Sequence, residues 1–264
     1  MDEKKQSANI IDLLGCKYIP AINSGDNKKD NYANTELYLR LLKEGEKEGF
    51  CPVLIDKETR HYIYEPQYGY TDSKEDYPKI SRILIERAER SCFEVWVGKL
   101  IYNYYLDGLE YEEDVAVSLN ELIPPNTIKY NRKFEKCVEK EFIFGENSIS
   151  SSYNFSFEEL VFALVPVKRP WEVLAWIPVG GFNWCPNAEH QVALAKGLYE
   201  QFGARIAYIS FSAVEYYIPS PLLKKEDVEK AAKVLMAADM DVYQDFEVAV
   251  DLIFGSHIWH LWWD

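Results

Sequence analysis

Residues 187–218 read NAEHQVALAKGLYEQFGARIAYISFSAVEYYI, and this stretch has the clearest helix and strand pattern in the chain. Asn187 can cap a helix and Gly203 can end one. Between them, apolar residues recur at helical spacing, at Ala188, Val192, Ala195, Tyr199 and Phe202. Two short runs of β-branched and aromatic residues follow, at residues 205–211 and 214–218. The sequence therefore predicts one helix followed by two strands.

Apolar patterns on both sides of this stretch predict further helices and strands. One helix is predicted to begin at Thr35 and to end near Gly49. Others are predicted over residues 80–88, with an extension toward residue 105, and over residues 226–238. Short apolar runs predict strands at residues 50–55, 161–168, 173–179 and 257–264. Residues 161–168 and 173–179 are consistent with an antiparallel hairpin.

The order of these elements predicts the fold class and the domain organisation. Strands that follow one another without a helix between them indicate an α+β (mixed α/β) fold. We expect a mixed, largely antiparallel sheet with helices packed against it. Residues 156–264 are predicted to form a C-terminal domain. Residues 1–155 are predicted to form an N-terminal α/β region that contributes to the same fold, because the strand at residues 50–55 needs other strands to pair with.

Composition and charge exclude several classes of protein. The formal net charge of −14 argues against nucleic acid and anionic membranes as partners. No stretch approaches the roughly 20 apolar residues of a membrane-spanning helix, and the polar N-terminus predicts no secretory signal. The cysteines are widely spaced and odd in number, which favours reduced thiols and a cytoplasmic location. They are Cys16, Cys51, Cys92, Cys137 and Cys185.

Several motifs occur in a fixed order in the last hundred residues. Residues 180–186 read GGFNWCP, residues 199–204 read YEQFGA, and the chain ends in WHLWWD. Glu215 and Gln244 lie between them. In this order, the motifs resemble the bacterial domain of unknown function family 4253. The motif residues in this chain are Gly180, Gly181, Asn183, Cys185, Pro186, Trp262, Trp263 and Asp264.

The resemblance implies a fold rather than an activity. It also implies a bacterial, cytoplasmic protein, and it associates the chain with toxin–immunity neighbourhoods. Residues 48–54, which read EGFCPVL, are similar to an upstream element of longer members. Residues 236–243, which read MAADMDVY, depart from the family pattern, in which a segment containing Tyr, Cys and Pro precedes the glutamine.

Cys185 is the candidate nucleophile, because a thiol at the start of a predicted helix can have a lowered pKa. His190 on the first turn of that helix, or His257 or His260 near the C-terminus, could serve as its base. The structural alternative is a small buried thiol in a turn. The same side chains are of the types that bind zinc, but they include no closely spaced ligand pair, so we predict neither a metal nor a cofactor.

The aromatic and acidic residues suggest a binding function. The segment from Tyr62 to Tyr77 mixes tyrosine with carboxylates, and its candidate binding residues are Tyr68, Tyr70, Asp72, Glu75 and Asp76. We expect a non-enzymatic acidic protein-binding module, an immunity-type inhibitor that docks on a basic toxin domain. The alternative is a small-molecule enzyme or ligand-binding domain with a pocket at residues 180–186, using Cys185 and a histidine. The sequence does not define the oligomeric state.

Overall fold

The strands in the described part of this chain form one mixed sheet. The computed structural model describes residues 16–56, 77–91, 140–145, 157, 160–179, 185–210 and 212–263. Its strands are β1 (Lys17–Pro20), β2 (Cys51–Asp56), β3 (Leu160–Val165), β4 (Arg205–Ile209), β5 (Ala213–Tyr217) and β6 (Ile258–Trp262). They lie in the order β1-β3-β2-β4-β5-β6. β2 and β4 are parallel, and every other neighbouring pair is antiparallel.

Helices pack on both faces of this sheet. They are α1 (Asn27–Glu48), α2 (Tyr77–Arg90), α3 (Val173–Trp176), α4 (Ala188–Phe202), α5 (Lys225–Ala238) and α6 (Phe246–Ile253). Alternation along β2 separates two cores: Val53 and Ile55 belong to the larger one, whereas Leu54 belongs to the smaller one. α1 covers the smaller core, and α2, α4, α5 and α6 contribute to the larger one. The predicted α+β fold class is confirmed.

Several predicted elements agree closely with the structure. α4 begins after Asn187, whose side chain accepts a hydrogen bond from the His190 amide. It ends at Gly203, whose φ of 70° lies in the left-handed region that favours glycine. The predicted strands at residues 50–55, 205–211 and 214–218 correspond to β2, β4 and β5, and the predicted terminal strand contains β6. The extension of α2 toward residue 105 falls outside the described residues.

The predicted strand at residues 173–179 is wrong. Residues Pro170–Glu172 form a 3₁₀ turn with proline at its start, and α3 follows directly. The carboxylate of Glu172 accepts a hydrogen bond from the Arg169 amide, which stabilises the start of the turn. Val173 and Leu174 are buried in the larger core. A short buried apolar run has the same composition in a helix as in a strand, which explains the error.

The predicted start of the first helix is also wrong. α1 begins after Asp26, two turns before Thr35. Asp30 and Asn34 lie one turn apart on its buried face, where they bind the preceding loop. Asp30 accepts hydrogen bonds from Ser24, and the Asn34 side chain bonds the backbone of Ile22. The face of α1 that binds this loop is therefore polar. In the sequence, its polar residues are typical of a surface turn, which explains why the start of the helix was predicted too late.

β6 is an edge strand whose outward amides are occupied by side chains. Ser256 Oγ accepts from the Ile258 amide, the Tyr243 hydroxyl bonds the His260 amide, and Asp239 Oδ2 accepts from the Trp262 amide at 2.6 Å. Unpaired edge amides can pair with the strands of other molecules, and these three side chains block that pairing. In the part of the chain that the structure describes, no helix has both the length and the apolar character needed to cross a membrane.

Candidate functional site

Cys185 lies in the larger core, immediately before α4. Its side chain is 5 % exposed, and its Sγ accepts a hydrogen bond from Gln191 Nε2 at 3.5 Å. Burial raises the pKa of the Cys185 thiol well above its usual range, and the negative charge of Asp239 raises it further. The thiol is therefore protonated at neutral pH. A protonated, buried thiol is a poor nucleophile.

The N-terminal cap of α4, Asn187, lies two residues after Cys185. Asn187 accepts the hydrogen bond of the His190 amide, at 3.1 Å from its Oδ1. One of the amide groups that could have stabilised a thiolate is therefore used by the cap. His190 itself is partly exposed on the first turn of the helix, and Pro186 is buried beside Cys185.

The two C-terminal histidines have different environments. His257 donates a hydrogen bond from Nδ1 to the Ile218 carbonyl at 2.6 Å, and its ring stacks on Tyr217. His260 lies on β6 opposite Glu215, next to the ring of Tyr243. Burial lowers the pKa of His260 to about 4, so this imidazole is neutral at pH 7.

Cys185 and His257 lie in different parts of the fold. Cys185 is buried in the larger core, whereas His257 lines a groove on the side of the sheet that α1 covers. Among the described residues, no group of three or more His, Cys, Asp or Glu side chains is arranged to hold a metal ion. Several predicted site residues lie outside the described part of the chain. They are Tyr68, Tyr70, Asp72, Glu75, Asp76, Gly180, Gly181, Asn183 and Asp264.

Two of the motif tryptophans are held by the end of α5. Asp239 accepts the Trp262 amide, and the Ala238 carbonyl accepts the indole N–H of Trp263 at 3.1 Å. Asp239 also accepts the amides of Asp241 and Val242. Burial raises the pKa of Asp239 to about 7. The hydrogen bonds from the three amides lower this pKa, but their effect is smaller than that of burial. Asp239 therefore connects α5 to the C-terminal strand.

A groove of about 530 Å³ lies between α1 and the start of β6, and we call it the acidic–aromatic groove. Its lining residues are Tyr32, Thr35, Glu36, Leu39, Glu141, Phe142, Tyr217 and His257. Two carboxylates and several aromatic rings thus face one groove, and no lysine or arginine is among these described lining residues. No sequence pattern indicated this groove, because its lining residues come from four separate segments of the chain.

Hydrogen bonds and ring contacts hold the walls of the acidic–aromatic groove together. Thr35 Oγ1 donates to the Asn31 carbonyl and accepts the Phe144 amide at 2.9 Å, which fixes residues 140–145 against α1. The ring of Phe142 lies 4.8 Å from that of Tyr217. Residues 141–142, which belong to no helix or strand, are thus held against α1 by these contacts.

A second cleft, of about 510 Å³, lies where α1 ends and β2 begins. Its lining includes Lys47, Lys168 and Arg205, together with Glu46 and Glu48. Arg205 forms a salt bridge with Glu46 at 2.9 Å. Charges of both signs therefore meet in this cleft, and part of its positive charge is already neutralised within the chain.

Comparison with known proteins gives one match. Residues 161–264 match the family described as Domain of unknown function (DUF4253). The resemblance seen in the C-terminal motifs is therefore confirmed for this segment. The match includes β4, β5, β6 and α3 to α6, and it begins within β3. No curated protein and no solved structure matches the chain. Tyr32, Glu36 and Glu141 of the acidic–aromatic groove lie outside the matched segment.

Cys185 is expected to react slowly with alkylating reagents. At pH 7.5 we expect iodoacetamide to modify native Cys185 on the order of 100-fold more slowly than in the denatured chain, because burial both shields the thiol and keeps it protonated. Peptide mapping by mass spectrometry measures the rate. The partly exposed Cys16 is the internal control. Modification of Cys185 before Cys16 would show that the thiol is accessible and activated.

Proposed function

We propose that this chain is a non-enzymatic, acidic protein-binding module, an immunity-type inhibitor that docks on a basic toxin domain in the bacterial cytoplasm. The acidic–aromatic groove is the observation that carries the proposal. It combines Glu36 and Glu141 with the exposed Tyr32, and tyrosine is enriched at the centres of protein interfaces. A groove of this chemistry fits a cationic segment of a partner.

The charge of the whole chain supports a basic partner. A net charge of −14 creates a negative field that accelerates encounters with cationic proteins. Such steering weakens as salt is added, because ions screen the field over about 10 Å at 0.1 M. Complex formation is therefore expected to depend on ionic strength.

The chemistry of the buried residues supports a non-enzymatic role. Cys185 is buried and protonated, and the half-buried His260 is neutral at pH 7, so neither is prepared for proton transfer at an accessible surface. Three free thiols among the described residues, at Cys16, Cys51 and Cys185, support a reducing compartment.

Affinity capture tests this proposal. We expect the tagged chain to retain a basic protein from its native lysate at about 50 mM salt and to release it at about 300 mM. The double variant Glu36→Gln/Glu141→Gln should lose this protein. Glu44→Gln, which removes one carboxylate from α1 outside the groove, should retain it. Capture that is insensitive to salt and equal for all three proteins would contradict the proposal.

A small-molecule site at residues 180–186 is the second candidate, and Gln191 is the observation that favours it. Its side chain is fully buried beside Cys185, and its Oε1 has no hydrogen-bond partner among the residues that the structure describes. Buried polar atoms normally have partners, so a ligand donor could satisfy this oxygen. Fast alkylation of Cys185, blocked by a bound small molecule, would favour this candidate over the binding module.

A further inference from the structure

We infer that the acidic–aromatic groove recognises the guanidinium group of an arginine side chain in preference to a lysine ammonium group. This inference rests on the proposed function, because it names the chemistry of the partner segment that the groove binds. It depends on three features of the groove: its rings, its two carboxylates and the orientation of His257.

Four aromatic rings line the groove, and one of them, Phe142, is itself buried in the smaller core. Tyr217 and His257 stack at a centroid distance of 6.2 Å with an angle of 18° between their planes. Phe142 packs against Tyr217 on the same wall, and Tyr32, which is 40 % exposed, lines the groove from α1. A planar guanidinium stacks on such rings and is weakly hydrated, whereas an ammonium group is compact and strongly hydrated.

The carboxylates lie on separate segments that line the groove. Glu36 belongs to α1, and Glu141 belongs to the segment that the Thr35 hydroxyl fixes against that helix. A guanidinium has five N–H donors in a fixed plane, so it can bond two carboxylates while its face contacts a ring. An ammonium group has no such flat face.

His257 adds an acceptor to the groove. Its Nδ1 proton is committed to the Ile218 carbonyl at 2.6 Å. In the neutral ring this leaves Nε2 as an acceptor with a fixed orientation. The groove therefore offers acceptors and ring faces to a cation, and its lining residues among those described include no competing basic side chain other than this histidine.

Titration with two synthetic peptides tests the inference. Acetylated hexa-arginine and hexa-lysine carry the same charge, so a difference in affinity reports on the shape and hydration of the cation. We expect calorimetry at low salt to give about fivefold tighter binding of hexa-arginine to the full chain. The double variant Glu36→Gln/Glu141→Gln should weaken hexa-arginine about tenfold, and Glu44→Gln should change little.

A third variant separates stacking from charge. Tyr32→Ala removes an exposed ring and no charge, so it should weaken hexa-arginine more than hexa-lysine. Equal affinities of the two peptides, both reduced in the double variant, would overturn the arginine preference and leave the proposed function intact. Binding that the double variant does not change would overturn both, because the peptides would then bind elsewhere. Absence of binding would also overturn both.

Discussion

Tyr38→Ala is expected to lower the free energy of unfolding by about 3–5 kcal/mol. Tyr38 is fully buried at the centre of the smaller core. Its ring contacts four aromatic residues, with centroid distances of 5.7, 5.4, 6.5 and 6.1 Å to Phe142, Phe144, Phe162 and Tyr217. Alanine would leave a cavity between α1 and the sheet, because the surrounding rings cannot all move in to fill it.

Thermal denaturation measures this effect. For a chain of this size the expected loss corresponds to a decrease in Tm of about 6–20 °C. Tyr38→Phe is the matched control, since it keeps the ring and removes only the hydroxyl, which donates to the Ile206 carbonyl at 3.0 Å. We expect Tyr38→Phe to lower the free energy of unfolding by about 1 kcal/mol. Equal effects of the two substitutions would show that the ring contacts do not stabilise the fold.

Asp239→Asn is expected to lower the free energy of unfolding by about 1–3 kcal/mol near pH 5. Both oxygens of Asp239 accept backbone amides, from Asp241 and Val242 on one side and from Trp262 on the other. An asparagine side chain must point its NH₂ group at one of these donors. At least one buried amide then lacks an acceptor, and β6 is held less firmly at its edge.

The effect of Asp239→Asn is expected to depend on pH. The pKa of Asp239 is raised in the folded chain from 3.8 to about 7. Its contribution to stability is therefore complete below pH 3.8 and is lost as the pH rises through 7. The asparagine variant lacks this dependence, so its deficit relative to the wild type should be smaller at pH 8 than at pH 5. Urea denaturation at both pH values measures the deficit, and a larger deficit at pH 8 would contradict this assignment.

His260 contributes a dependence of the opposite sign. Burial lowers its pKa from 6.5 to about 4, so its contribution is complete above pH 6.5 and is lost as the pH falls through 4. The wild-type profile therefore sums two opposing terms. Comparing the wild type with Asp239→Asn at each pH isolates the term of Asp239, because His260 is present in both proteins.

Much of the fold could be predicted because local chemistry defines the ends of its elements. Asn187 and Gly203 bound α4, and Gly49 ends α1 in the left-handed region. The errors arose where tertiary contacts, rather than local sequence, determine the secondary structure. Asp30 and Asn34 are polar yet buried, and residues 173–179 pack as an α-helical turn and a following loop rather than as a strand. β1 and α6 were missed, since β1 has only four residues and α6 only eight.

Less of the candidate site could be predicted from the sequence. The spacing between Cys185 and His190 indicates a shared helix start, but it contains no information on how deeply the thiol is buried. The groove depends on contacts between α1, residues 140–145 and the neighbourhood of β6, which are far apart in the chain. One local signal was present: Tyr32, Glu36 and Leu39 recur at helical spacing, although the helix was predicted to begin too late to include Tyr32.

Photo-crosslinking can show whether the acidic–aromatic groove is the surface that binds a basic partner. A benzoyl-phenylalanine at position 32 keeps an aromatic ring at the groove and both carboxylates intact. The control position is Ile83 on α2, which does not line the groove and has a similar exposure, 39 % against 40 % for Tyr32. We predict that irradiation in the native lysate links a basic protein to position 32 and not to position 83. Crosslinking of the captured protein at position 83 alone would contradict the account.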